Sequence, residues 1–240
     1  MKKAQATIFI VIAVLIIGGI VLLMIFENKK NIETGNMNTG PISSFTESCI
    51  SSMGEEAVYY VAYTGGYYAI PNISTEENIA YFVYKENIMP SKEKIESELS
   101  NYMNDMLSIC TNDFIDFPDF EIKQEKIETR TQIEKDKVIF NVVYPLTINK
   151  DNKTSHIQNF EEIEVPLRLG RVYNVSKEIV NEAIFNKDSI CINCNLDLAV
   201  INDLYINIQD RNKTRIYTIE DRKSLIKNNP LTFNFAIENE

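Results

Sequence analysis

One stretch constrains this chain before any other: from Ala6 to Phe26 there is no charged residue. At about 1.5 Å per residue such a run, as a helix, spans roughly 30 Å, the depth of a bilayer's hydrocarbon core. A core helix of a soluble domain keeps one polar face, and this run has none. A cleaved secretory signal has a shorter apolar region, of about 7–15 residues, followed by a small-x-small site. Here the run ends Leu23-Met24-Ile25-Phe26-Glu27-Asn28-Lys29-Lys30 without one. The expectation is a retained single-pass transmembrane helix at 6–26, preceded by a short basic stub at 1–5. Lys2 and Lys3 flank one end and Lys29 and Lys30 the other, so the lysine count does not orient it. A short stub before a long remainder predicts a signal anchor with the C-terminal domain outside the cell membrane.

The remainder is acidic. Removing Lys2, Lys3, Lys29, Lys30 and Glu27 from the totals of 24 Lys+Arg and 34 Asp+Glu leaves 20 and 33 for residues 31–240, a net charge of −13. That charge is repelled by an anionic cytoplasmic leaflet and argues against a nucleic-acid partner, which would meet a basic face. The expected partners are the lipid bilayer and other envelope or pilus proteins.

The start Lys3-Ala4-Gln5-Ala6, running directly into the apolar helix, resembles the class III signal peptide of archaeal type IV pilins and archaellins. In that family a prepilin peptidase cuts a short basic leader just before the hydrophobic helix. The resemblance implies a cut between Ala4 and Gln5 and a mature assembly helix from Gln5 to Phe26. It covers about the first 26 residues. Many pilin-like subunits carry glutamate at the fifth mature position, where this chain has Phe9. The start and the Ile/Asn/Lys-rich body also resemble membrane-anchored surface proteins of small-genome archaea.

Residues 27–44, with Gly35, Gly40 and Pro41 among polar neighbours, predict a flexible tether. Beyond it, 45–240 reads as an exported α+β domain, with two lobes at 45–169 and 170–240 as one division. Phe45, Cys49, Met53, Ala57, Tyr60 and Val61 recur at helical steps, with Ser44 or Thr46 as cap and Thr64-Gly65-Gly66 as stop. An extended segment at Tyr67–Pro71 and a short strand at Ala80–Tyr84 follow. Pro90-Ser91 opens a second helix with Ile95, Leu99, Tyr102, Met103, Met106 and Cys110 on one face. Glu125–Gln132, Val138–Asn149 and His156–Leu169 predict an antiparallel β-meander, turning at Glu134–Lys137 and Lys150–Lys153. A third helix is expected from about Tyr173 to Phe185, a fourth at Cys191–Asn202, and strands at Leu204–Ile208, Thr214–Ile219 and Leu231–Ile237. Three to four helices set apart from hairpins define the α+β class.

Four cysteines, Cys49, Cys110, Cys191 and Cys194, suit disulfides in an exported domain. Cys49 and Cys110 lie on the core faces of the first two helices and can bridge if those helices pack together. Cys191-Ile192-Asn193-Cys194 is a C-x-x-C pair that can close a small ring. A zinc site from all four has unusual spacing, and a thioredoxin-type redox pair lacks the βαβ setting of that fold. Disulfides lead, then zinc, then redox chemistry. The sequons Asn72, Asn152, Asn174 and Asn212 are candidate glycosylation sites; with 26 Asn and 28 Ser+Thr in the chain, chance alone gives about three. Asn152 and Asn212 fall in expected turns, and Asn174 at an expected helix start.

Tyr59, Tyr60 and Tyr63 with Gly65-Gly66-Tyr67-Tyr68 allow a sugar- or peptide-binding platform, or simply a helix end followed by a half-buried strand. Glu161, Glu162 and Glu164 with Asp151 lack a calcium-loop pattern, and these acids, like Asp113, Asp116 and Asp119, read as the wet faces of strands. The one histidine, His156, sits on an expected strand and leaves few catalytic relays open. No phosphate loop, dinucleotide fingerprint, nucleophile elbow or zincin motif occurs. The expectation is therefore a non-enzymatic structural, adhesion or partner-binding surface protein without a cofactor. The alternatives are a pilin-like filament subunit and an anchored thiol-disulfide protein using Cys191 and Cys194.

Overall fold

The computed structural model describes residues 37–160, 162–186 and 190–239. The leader, the apolar helix at 6–26, the cut between Ala4 and Gln5, and the tether as far as residue 36 lie outside the described residues. Among the described residues no helix is long and apolar enough to cross a membrane. The described chain is α+β, with four α-helices and ten strands in two sheets.

Helix α1 runs Gly40–Tyr63, longer than the periodicity from Phe45 predicts. Pro41 sits in its first turn, where a fixed φ suits the helix and the missing N–H removes no bond. The tether therefore ends before Gly40. Neither Ser44 nor Thr46 caps: Thr39 holds the N-cap position without a side-chain bond, and the Thr46 hydroxyl donates to Ile42 O inside the helix at 2.8 Å. The far end follows expectation. Gly66 N–H donates to Val61 O at 2.7 Å and Gly65 N–H to Ala62 O at 3.2 Å, a Schellman closure with φ of +91° and +81° that only glycine adopts without strain.

After α1 come β1 (Tyr81–Tyr84), β2 (Glu86–Asn87) and helix α2 (Lys92–Thr111). Helix α2 opens after Pro90-Ser91 as expected, and Ser91 caps it, accepting from Lys94 N–H at 3.2 Å. The first sheet is built on β5 (Val138–Lys150). One flank is formed by β3 (Glu121–Gln124) and β4 (Glu128–Ile133), the other by β6 (Lys153–Asn159) and β7 (Ile163–Val165). All pairings are antiparallel, which gives the expected meander with each flank broken once. The breaks explain two boundary errors: strand begins at Glu121 rather than Glu125, and the segment from His156 halts at Asn159 and ends at Val165, short of Leu169. The β5–β6 turn has Asp151 and Asn152 both at positive φ, the I′ geometry that suits strand twist.

Helix α3 (Leu169–Phe185) starts ahead of the expected Tyr173, with Gly170 against the β4–β5 turn, where a Cβ would collide with Glu134 O. Helix α4 (Ile192–Asn202) precedes β8 (Tyr205–Arg211), β9 (Thr214–Ile226) and β10 (Asn229–Glu238). The second sheet has the order β2-β1-β10-β9-β8, mixed because β1 runs parallel to β10. That pairing crosses the lobe boundary drawn at residue 170. β9 runs well past Ile219, since the charged run Glu220–Lys223 lies within the strand and Asp221 is fully buried.

Helix α1 packs on both sheets as well as on α2. Gly54 brings it close to the first sheet: a Cβ there would lie 3.2 Å from Phe140 and Val165. On the second sheet Phe82 stacks on Phe235 at 4.7 Å and Tyr217 on Phe235 at 5.1 Å, contacts worth about 0.5–1.5 kcal/mol each beyond the area they bury. One apolar cluster joins helices and both sheets.

Candidate functional site

The double glycine after α1 turns the chain sharply, and Tyr67–Pro71 does not form the expected extended strand. Its backbone finds another partner. Tyr68 N–H and Ala69 N–H donate to one oxygen of Glu98 at 2.8 and 3.0 Å, and Lys94 Nζ holds the other at 2.6 Å. Glu98 is buried on the apolar face of α2. Burial by itself raises its pKa, but Lys94 and the two backbone donors outweigh that and hold the carboxyl below its usual range. A buried carboxylate thus fixes the loop that carries Tyr68.

Tyr60, Tyr68 and Tyr102 pack at centroid distances of 5.2 to 6.0 Å, and Tyr59 stacks on Tyr63 at 6.4 Å with both rings exposed. Burial, then Glu56 and the neighbouring phenols, push Tyr102 up to about 12. Burial and then Asp105 raise Tyr68. Tyr68 and Tyr102 therefore stay protonated at neutral pH.

Beside this cluster an open groove of about 950 Å³ runs between α2 and the β3–β4 flank. Tyr68, Asn101, Asn104, Asp105, Ser108 and Gln124 line it. Tyr144 also lines it; its hydroxyl donates to Gln124 Oε1 and lies 3.1 Å from the Thr111 hydroxyl. Gln124 Nε2 donates to Asp113 Oδ1 at 3.0 Å. The Asn104 side-chain oxygen is buried with no hydrogen-bond partner. Aromatic faces beside amide, hydroxyl and carboxylate groups can stack on a ring or an apolar ligand face while bonding its polar rim.

The cysteines pair as Cys49–Cys110 and Cys191–Cys194, with Cα separations of 5.8 and 5.2 Å. The first joins α1 to the last turns of α2, since those helices do pack together. The second closes a ring at the start of α4, where the Cys191 sulfur accepts Cys194 N–H at 3.2 Å. With all four sulfurs bonded, no thiolate is left for zinc.

The four sequons are exposed: Asn72 in a loop, Asn152 and Asn212 in hairpin turns, and Asn174 on α3. Asn174 does not start that helix, which begins at Leu169. His156 is exposed on β6, its Nδ1 3.1 Å from the Thr147 hydroxyl. Glu161 lies outside the described residues, and Glu164 pairs with Lys137. Asp113, Asp116 and Asp119 lie in the turns after α2, not on strands; Asp119 pairs with Lys150 at 3.6 Å.

Two functional placements escape sequence reasoning. Glu98 had a usable signal: it follows Ile95 by three residues and precedes Tyr102 by four, on the same helix face. The Arg168–Asp221 pair had none. Arg168 Nε donates to Asp221 Oδ2 at 2.8 Å, and Ser224 Oγ and Lys223 N–H complete the carboxylate's bonds at 2.6 and 3.0 Å. Burial raises the Asp221 pKa, and Arg168 with these donors brings it below the ordinary value. No family model, curated protein or solved structure matches the chain.

Proposed function

We infer that this chain is a single-pass, membrane-anchored cell-surface protein, its α+β domain outside the cell and its role the binding of a partner without catalysis. The observation that carries the reading is the Cys191–Cys194 bond. It sits at the surface, where a reducing cytosol would open it, so its pairing supports an oxidising location. The apolar run Ala6–Phe26 supplies the anchor. The groove beside Tyr68 is the contact surface, and its pairing of tyrosine faces with Asn101, Asp105 and Gln124 suits a sugar-bearing partner.

The test is the intact mass of protein extracted from its native membrane, with and without reduction. The expected result is a full-length chain that gains about two hydrogens per bridge on reduction. A chain with no such gain overturns the exported location. The pilin-like reading rests on Lys3-Ala4-Gln5-Ala6 running directly into the apolar segment. A mass lacking Met1 through Ala4 would select it. For the groove, Tyr68→Ala combined with Asp105→Ala is expected to abolish retention on immobilised oligosaccharides; retention by the variant rules the groove out, and binding to peptides alone replaces the sugar.

A further inference from the structure

Helix α4 faces the wrong way for a core element. Seven of its eleven residues are apolar (Ile192, Cys194, Leu196, Leu198, Ala199, Val200 and Ile201), yet Asn195 is its one buried residue. Ile192, Leu196 and Val200, at steps of four, form a stripe that is 71, 59 and 72% exposed, and Tyr205 beside it is 51% exposed. Together they present roughly 500 Å² of surface, in the upper range of the largest patch on a monomer, which is often functional. Between this stripe and β8 lies a groove of about 550 Å³ with Ile206 and Ile208 on its other wall.

The strand beside the groove is also unusual. Sheet edges are normally made unfit for pairing by shortness, bulges, proline or lysine. The first sheet has both flanks broken, and the second sheet ends on one side in the two-residue β2. β8 ends it on the other side with seven residues, paired to β9 without a register shift and containing neither proline nor lysine.

We propose that this face is a self-association surface, on which β8 of one chain pairs antiparallel with β8 of a second copy while the α4 stripes close over the shared groove. Pairing about Ile208 sets Tyr205 against Arg211 of the second copy, Ile206 against Asp210, and Asn207 against Gln209, so no like charges meet. The two-fold axis of such a pair is normal to the sheet, which brings both α4 helices to the same side. With the strand edge and Ile206 and Ile208 added to the stripe, each copy buries on the order of 800 Å², the amount a stable dimer needs. A lipid surface fits less well. Helices that lie on anionic membranes carry Lys and Arg beside the apolar face, whereas the charge on α4 is Asp197.

The test uses the full chain in detergent micelles. Sedimentation with detergent-matched density is expected to give a dimer, and Leu196→Lys with Val200→Lys a monomer of unchanged circular dichroism. In parallel, Ile208→Cys is expected to give a covalent dimer on mild oxidation, since opposed strand residues lie about 4.5–5.5 Å apart. Lys153→Cys on β6 serves as the control that stays monomeric. A monomeric wild type overturns the proposal. So does a dimer that survives both lysines, which places self-association in the apolar N-terminal run, and so does crosslinking equal to that of the control.

Discussion

Two joints hold this domain together, and they use opposite means. Where α1 meets α2 the link is covalent: Cys49–Cys110, with Cys49 only 4% exposed, ties residues 61 apart in sequence. Where the entry to α3 meets β9 the link is an ion pair, Arg168 on Asp221, sealed by Ser224 and the Lys223 backbone. The disulfide acts largely on the unfolded chain by removing its freedom, and in the folded protein it asks little of its neighbours. The ion pair acts wholly on the folded state, where each charge needs the other. Losing the covalent joint therefore frees the unfolded chain and leaves its folded neighbours satisfied, whereas removing one half of the ionic joint leaves a buried charge without its partner.

The comparison can be broken most severely at the ionic joint. Arg168→Met leaves a buried, uncompensated Asp221 and is expected to cost about 3–5 kcal/mol in urea unfolding. Adding Asp221→Leu to that variant should recover most of the loss, because the paired apolar replacement removes the orphaned charge. Replacing Cys49 and Cys110 together by alanine should cost about 4 kcal/mol, read in the same unfolding curves. The exposed Cys191–Cys194 ring is the smaller covalent case: its removal should cost about 2 kcal/mol by the same chain-entropy reasoning. Mild reductant followed by alkylation should modify that pair before Cys49 and Cys110, as mass spectrometry can follow.

Acid sharpens the contrast further. Glu98 and Asp221 both have lowered pKa values in the fold, from ordinary values of 4.5 and 3.8. The stability they add is fully present above those values and is lost as pH falls through the lower folded ones. The urea midpoint should therefore drop below about pH 4.5, and Glu98→Gln, at about 1 kcal/mol near neutrality, should flatten part of that drop. The smallest effect on stability is expected from Leu196→Lys and Val200→Lys, within about 0.5 kcal/mol, because neither side chain contributes to the core.

Local pattern revealed much of this architecture. The helical spacing from Phe45, the Thr64-Gly65-Gly66 stop, the helix start at Pro90-Ser91, the long β5 and the helix after Cys191 all follow from backbone and side-chain rules acting over a few residues. What stayed hidden depends on distant partners. β9 reads as ending at Ile219 because Asp221 is charged, and only Arg168, far away in sequence, makes its burial tolerable. Tyr67–Pro71 reads as a strand from its tyrosines, but its amides are taken by Glu98. The early start of α3 sets Gly170 against the Glu134 carbonyl. For the groove, the tyrosines were visible in the sequence, while Asn101, Asp105 and Gln124 were not, since α2 and the β3–β4 flank come to face one groove only in the fold. The outward stripe of α4 is the reverse case: Ile192, Leu196 and Val200 have the spacing of a core face, and nothing local says that the chain leaves it bare.

The Cys49–Cys110 bridge also sets how far the protein can be stretched. Tension between the two ends of the domain bypasses everything between those cysteines, because the path runs through the sulfurs. β1 and β2 lie wholly inside that shortcut, and α2 does as far as Cys110. At about 3.5 Å per extended residue, roughly 200 Å of contour is withheld until the bond is reduced. An oxidised molecule pulled from both ends would give up the second sheet and the β5 meander, and keep the α1–α2 loop slack.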